Sequence, residues 1–89
     1  MNDSNYVIID VREPYEFALG HVEGAINVPS ESLMQGAPEL KDIDKNAKLL
    51  IYCRSGSRSA LAINLFRQMG FTDLTNGINQ SMVMQNFLK

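Results

Sequence analysis

Lys48-Leu49-Leu50-Ile51-Tyr52-Cys53-Arg54-Ser55-Gly56-Ser57-Arg58-Ser59-Ala60-Leu61-Ala62 changes its pattern twice within a short span. The apolar run from Leu49 to Tyr52 has no alternation and reads as a strand covered on both faces. A polar loop with one glycine follows, and helical spacing starts at Ser59-Ala60-Leu61-Ala62. The thiol of Cys53 stands at the join. Between a buried strand and a helix N-terminus, backbone N–H groups converge and the helix dipole favours negative charge. That setting stabilises a thiolate, which is the nucleophilic form of cysteine.

Working outward, Tyr6-Val7-Ile8-Ile9 is a second unalternating apolar run, ended by Asp10-Val11-Arg12. Glu13-Pro14-Tyr15-Glu16-Phe17-Ala18-Leu19 reads as a short helix, with proline in its first turn and Gly20 as its stop. Ala25 to Val28 is a short strand closed by Pro29, and Ser30 is a candidate N-cap for a helical turn through Met34. Gly36, Pro38 and Lys41-Asp42-Ile43-Asp44-Lys45-Asn46 mark a surface connection. From Ser59 to Met69 the residues Leu61, Ala62, Leu65, Phe66 and Met69 form an apolar helix face, stopped at Gly70. Phe71 to Leu74 reads as a fourth strand, Asn76-Gly77 as a turn, and Gln80 to Lys89 as a terminal helix with Met82, Val83, Phe87 and Leu88 inward.

Strands alternating with helices predict an α/β fold with a parallel sheet of about four strands flanked by helices. Ligands of such sheets bind beyond the carboxyl ends of the strands. Both Asp10-Val11-Arg12 and Cys53 fall at such ends.

Composition narrows the classes. The 89 residues are expected to form one domain, 1–89, near the small end of what folds without metals or disulfides. A single cysteine excludes an intramolecular disulfide, and Cys53 with the single histidine, His21, cannot build a structural zinc site alone. No metal and no cofactor are expected. The hydrophobic content of 45% suits a core held by apolar packing. The net charge of −2 contains no basic block, which gives no support to a nucleic-acid partner. No stretch of about 18 apolar residues predicts a membrane span. Met1-Asn2-Asp3-Ser4-Asn5 carries no signal-like segment, so the expected location is the cytoplasm, or the periplasm where a signal peptide has been removed.

Four ordered blocks carry a resemblance to the single-domain rhodanese sulfurtransferases. Ile8-Ile9-Asp10-Val11-Arg12 with Glu16-Phe17 resembles that family's opening strand and helix. Gly20-His21-Val22-Glu23-Gly24-Ala25-Ile26-Asn27-Val28-Pro29 is similar to its second signature, and Ile51 to Ala60 to its active-site loop. Met69-Gly70-Phe71 matches the turn after the following helix. Four blocks in order are far more specific than any one motif. Two departures stand out. Only a few residues precede the first block, which implies a sheet trimmed at the N-terminus. The family's Gly-Gly turn with a following tryptophan is replaced by Asn76-Gly77-Ile78-Asn79-Gln80, in a chain without tryptophan.

The resemblance implies a two-step sulfur transfer. The Cys53 thiolate attacks the outer sulfur of a donor such as thiosulfate, sulfite leaves, and a persulfide remains for cyanide or a thiol to remove. The implied partners are a small anionic sulfur donor and a thiophilic acceptor, including a protein thiol or sulfur carrier. Gly56 permits a tight turn, and the N–H groups from Arg54 to Ser59 can form an anion-binding nest. Arg54 and Arg58 bring two cations near the thiol and can lower its pKa. The resemblance favours Arg58 as the loop-closing residue at the pocket or its wall, while Arg54 stays open between pocket and solvent. Ser55, Ser57 and Ser59 offer hydroxyls, with Ser59 favoured as helix N-cap. Asp10 and Arg12 are read as structural support, the carboxylate accepting N–H bonds or pairing with an arginine, rather than as an acid–base pair. His21 is read as a scaffold residue with an orienting hydrogen bond, in preference to a Cys–His hydrolase.

Loop length separates the alternatives. Related phosphatases place an arginine at the sixth position after the cysteine, whereas Ser59 stands there in this chain and Arg58 comes one earlier. A cysteine-dependent phosphatase or arsenate-handling enzyme is therefore the second reading, and a non-catalytic sulfur-relay or protein-binding module the third.

Overall fold

A computed structural model describes residues 6–88. Four strands, β1 (Tyr6–Asp10), β2 (Ile26–Asn27), β3 (Lys48–Tyr52) and β4 (Asp73–Ile78), form one parallel sheet in the order β2-β1-β3-β4. The helices are α1 (Pro14–Leu19), α2 (Ser30–Met34), α3 (Ser57–Gln68) and α4 (Gln80–Asn86), and a 3₁₀ turn spans Pro38–Leu40. The α/β class and the four-stranded parallel sheet agree with the expectation from sequence.

Side-chain alternation explains why the central runs are apolar throughout. Ile9 and Val11 of one run and Leu49, Ile51 and Cys53 of the other pack with Val28, Leu33, Ala62 and Phe66 on one face of the sheet. Ile8, Leu50 and Tyr52 point to the other face, against Val22 and Val83. Each such large side chain contributes about 1.5–3 kcal/mol by leaving water. Because β1 and β3 are buried on both sides, neither can show the polar alternation of a half-exposed strand.

The strand order places the site. From β1 the chain turns to β2 on one side, then returns to β3 on the other. The loops leaving the carboxyl ends of β1 and β3 therefore diverge, and a crevice opens between them. Val11 to Glu13 forms one lip and Cys53 to Gly56 the other.

Several local expectations need correction. Helix α2 is capped by Pro29, with Ser30 already inside it. Helix α3 starts at Ser57, because Gly56 in the left-handed region (φ 96°) serves as the cap, so Ser59 is not the N-cap. Leu61 lies on the exposed side of α3, 68% accessible, while Ala62 and Phe66 make the buried stripe. Phe71 is buried ahead of β4, which begins at Asp73. Asn76-Gly77 is no turn but part of β4, where a register shift sets Ile51 opposite Asn76 and Tyr52 opposite Ile78, leaving Gly77 as a bulge. A Cβ at Gly77 would lie 2.6 Å from Val83 Cγ2, so close approach of α4 is what requires glycine there. Lys89, given to the terminal helix from sequence, lies outside the described residues; α4 ends at Asn86.

Candidate active site

Cys53 leaves β3 with its N–H bonded to the Ile78 carbonyl at 3.1 Å, and its side chain is buried. The loop then folds back over the sulfur. The Gly56 N–H donates to Sγ at 3.0 Å and the Ser59 N–H at 3.3 Å, with the Ser59 hydroxyl 3.5 Å away. Gly56 makes this turn possible through its left-handed backbone, and a Cβ there would press on Ile78 Cγ2 at 3.4 Å. Burial pushes the Cys53 thiol up, but the Ser59 hydroxyl and the N–H groups of Ser59, Ser55 and Gly56 outweigh it, so the thiol is shifted below its ordinary value.

The two arginines of the loop are placed differently from each other. Arg58 turns to Glu16 on α1, donating to Oε1 at 2.8 Å and Oε2 at 3.1 Å. Arg54 is 74% accessible along its side chain and reaches Glu16 only at 3.9 Å. Glu16 also accepts the Glu13 N–H at 2.9 Å, within the capping box of α1. Arg58's hydrogen bonds hold the buried Glu16 carboxyl down at about 2, against the opposing effect of burial. The same carboxylate raises Arg58 above its usual value. Arg58 thus braces the wall of the site, and the leading contributions to thiol acidity come from Ser59 and backbone amides.

Asp10 ends β1 fully buried and accepts from Arg12 four times, twice from the side-chain Nε at 3.0 Å, from Nη2 at 2.7 Å and from the backbone N–H at 2.9 Å. The Tyr52 hydroxyl donates to Asp10 at 2.8 Å and accepts the Val22 N–H at 3.0 Å. Burial drives this phenol up to about 12, so it stays a donor. Arg12 also reaches the Gly20 carbonyl at 2.6 Å, which ties β1 to the end of α1. Asp10 therefore pairs with Arg12 rather than with an arginine of the Cys53 loop. His21 stacks on Phe17, centroids 3.6 Å apart, and its Nδ1 lies 2.8 Å from the Phe17 carbonyl. Since that carbonyl can only accept, Nδ1 carries the hydrogen.

Above the sulfur lies a cleft of about 270 Å³ lined by Arg12, Cys53, Arg54, Asn79, Gln80 and Ser81. Arg12, Arg54 and Gln80 also border a larger neighbouring space of about 470 Å³, walled by Tyr15, Glu16 and Leu19. Ser55 and Ser57 sit on the exposed shoulder of the loop, their hydroxyls 3.2 Å apart. Among the described residues no cluster of His, Cys, Asp and Glu could hold a metal ion. No helix among them is long and apolar enough to cross a membrane.

The family model for the rhodanese-like domain matches residues 1–81. This chain belongs to the rhodanese-like family. It is 35% identical over 68 residues to thiosulfate sulfurtransferase PspE of Escherichia coli, covering 76% of this chain and 64% of that protein. With the Bacillus subtilis protein YqhL, itself uncharacterised, it shares 41% identity over 69 residues, 78% of this chain and 52% of that one. The rhodanese solved with anions from E. coli superposes with a TM-score of 0.75 at 31% identity, over 86% of this chain and 89% of the other. The chain spans 64% of the length of PspE, 52% of YqhL and about a fifth of several longer curated relatives, down to 17%.

Three groups of the site escaped the reading of the sequence. Glu16 was legible only as part of an opening block, yet it takes the loop arginine. Asn76 enters the site because the bulge at Gly77 lets β4 reach the loop: its Oδ1 accepts from Ser59 at 2.7 Å and its Nδ2 donates to the Gly56 carbonyl at 3.1 Å. The departure from the Gly-Gly pattern was its one signal in the sequence. The start of α4, Asn79 to Ser81, forms the cleft's far wall. Nothing in its composition marks it as such.

Proposed function

We propose that this rhodanese-like chain is a sulfurtransferase that carries sulfane sulfur on Cys53. The observation behind the reading is a buried Sγ that receives N–H groups from Gly56 and Ser59 at the floor of an arginine-flanked cleft. Thiosulfate supplies the simplest balanced step. The Cys53 thiolate attacks the outer sulfur, an S–S bond to Cys53 forms, the old S–S bond breaks, and its electron pair leaves with sulfite. The terminal sulfur inherits the negative charge. Cyanide or a thiolate then attacks that outer sulfur, and the electron pair returns to Sγ as the thiolate. Arg54, exposed at the rim, attracts the anionic donor, and the loop amides of Ser55, Gly56 and Ser59 stabilise charge on sulfur. Arg58, Asp10, Arg12 and His21 act on the site through its walls.

A phosphatase or arsenate reading fits less well. The cation such a loop needs around its oxyanion is Arg58, and its guanidinium is held by Glu16. A relay module needs the same cysteine and differs only in how fast small molecules turn over. The relatives' sulfurtransferase name supports transfer to a thiophilic acceptor, which includes a protein thiol.

Mass spectrometry of the purified chain tests the proposal. Thiosulfate is expected to add about 32 Da at Cys53, cyanide to remove it, and Cys53→Ser to abolish both while keeping its circular dichroism. Sulfur transfer by Cys53→Ser would overturn the assignment.

A further inference from the structure

Ser59 is fully buried, so its hydroxyl proton needs an acceptor in every state of the site. Three lie within reach: Asn76 Oδ1 at 2.7 Å, the Gly56 carbonyl at 3.1 Å and Cys53 Sγ at 3.5 Å. The Asn76 amide cannot be turned over. Its oxygen accepts the Ile78 N–H at 2.9 Å and its nitrogen donates to the Gly56 carbonyl, partners that respectively only donate and only accept. At 2.7 Å from that fixed oxygen, the Ser59 hydroxyl must be the donor. Its lone pairs are then left to face Sγ.

We infer that Asn76 is a positioning residue for Cys53, acting as the resting acceptor of a Ser59 proton that turns to Sγ only when the sulfur is charged. A neutral thiol, or the inner sulfur of a persulfide, is a poor acceptor, and the proton rests on Asn76. When Sγ becomes a thiolate, the charge makes it the better acceptor and the hydroxyl rotates. No bond to carbon or sulfur changes, and one hydrogen bond is exchanged for another. Asn76 therefore favours the uncharged sulfur, and Ser59 the charged one. Asn76 stands where the family's Gly-Gly turn would offer no side-chain acceptor. The inference rests on Cys53 being the nucleophile.

The pH midpoint of iodoacetamide alkylation at Cys53 reads the balance. Asn76→Ala removes the nearer resting acceptor, leaving the Gly56 carbonyl at 3.1 Å, and is expected to lower the midpoint, raising the ionisation constant by roughly two- to tenfold. Ser59→Ala is expected to raise it. In the Ser59→Ala background, Asn76→Ala is expected to leave the midpoint unmoved, since its effect runs through that hydroxyl. If Asn76→Ala melts, Asn76→Val, close in volume and suited to a strand, gives the same reading. A midpoint that is raised or unchanged by both Asn76 variants overturns the inference, as does an equal shift with and without Ser59. A parent chain that takes up no sulfur from thiosulfate would instead overturn the role of Cys53, which the alkylation measurement does not assume.

Discussion

Arg58 and Glu16 fasten the helix that follows Cys53 to the helix that follows β1, across 42 residues of sequence. The carboxylate is buried and the arginine side chain is 40% accessible. Glu16 is held at about 2, below its ordinary 4.5, so the pair contributes stability that is complete above pH 4.5. That stability falls away as pH drops from there through about 2. Arg58→Ala leaves a buried carboxylate without its partner and should cost about 1.5 kcal/mol, low in the range for charge-assisted bonds because water screens the exposed arginine. The expected result is a lower melting point at pH 7 and a smaller loss of stability between pH 4.5 and 2 than in the parent. Acid titrations of both proteins by circular dichroism give the comparison, and parallel curves would refute the linkage.

Thiol acidity should follow the hydrogen bonds to sulfur more closely than the arginines. The alkylation midpoint of Cys53 is expected below that of an ordinary cysteine thiol, because the loop amides and the Ser59 hydroxyl favour the charged sulfur. Ser59→Ala should raise it more than either Arg54→Ala or Arg58→Ala. A larger shift from an arginine variant would mean that charge, and not the nest, sets the nucleophile.

Asp10 gives a test of scaffold against chemistry. Its partners Arg12 and Tyr52 already supply all the donors it faces, and in Asp10→Asn an amide N–H group would confront one of them. Loss of a buried charge pair costs about 3–5 kcal/mol, so the melting point should fall by well over 10 °C, with activity falling beside it. Unchanged melting with collapsed turnover would assign Asp10 to proton transfer instead.

Gly77→Ala places a methyl group 2.6 Å from Val83 Cγ2 and 3.2 Å from Leu50 Cδ1. Overpacking of this kind costs about 1–3 kcal/mol. Val83→Ala should destabilise the parent by opening a cavity, yet cost less when added to Gly77→Ala. Additive losses in thermal melts of the two single variants and the double variant would show that the contact is not the cause.

The elements that the sequence revealed are those whose pattern is local. Leu49 to Tyr52 and Tyr6 to Ile9 are apolar without interruption because both faces of their strands are covered, and a buried parallel strand has no other signature. The polar loop after Cys53 announced itself by the change of pattern on either side. What stayed hidden depends on contacts between distant segments. Asn76-Gly77 has turn chemistry, and only the approach of Val83 makes the glycine a strand residue. Ser59 has the composition of a cap, but Gly56 takes that place one turn earlier, and Ser59 is free to face the sulfur. Glu16 is one of two acids in the α1 segment until Arg58, 42 residues later, selects it.

Helix α1 has six residues, too few to persist by backbone bonding alone. Its order is borrowed: Arg58 holds Glu16, Arg12 holds Gly20, and the rest of its outer face, Tyr15 and Leu19, is open to water. The wall of the space beside the cleft is thus held by an ion pair and a hydrogen bond at the rim, whereas the sheet beneath is held by apolar burial. The entrance to the site and its floor accordingly answer to different solvents, the first to salt and the second to denaturant.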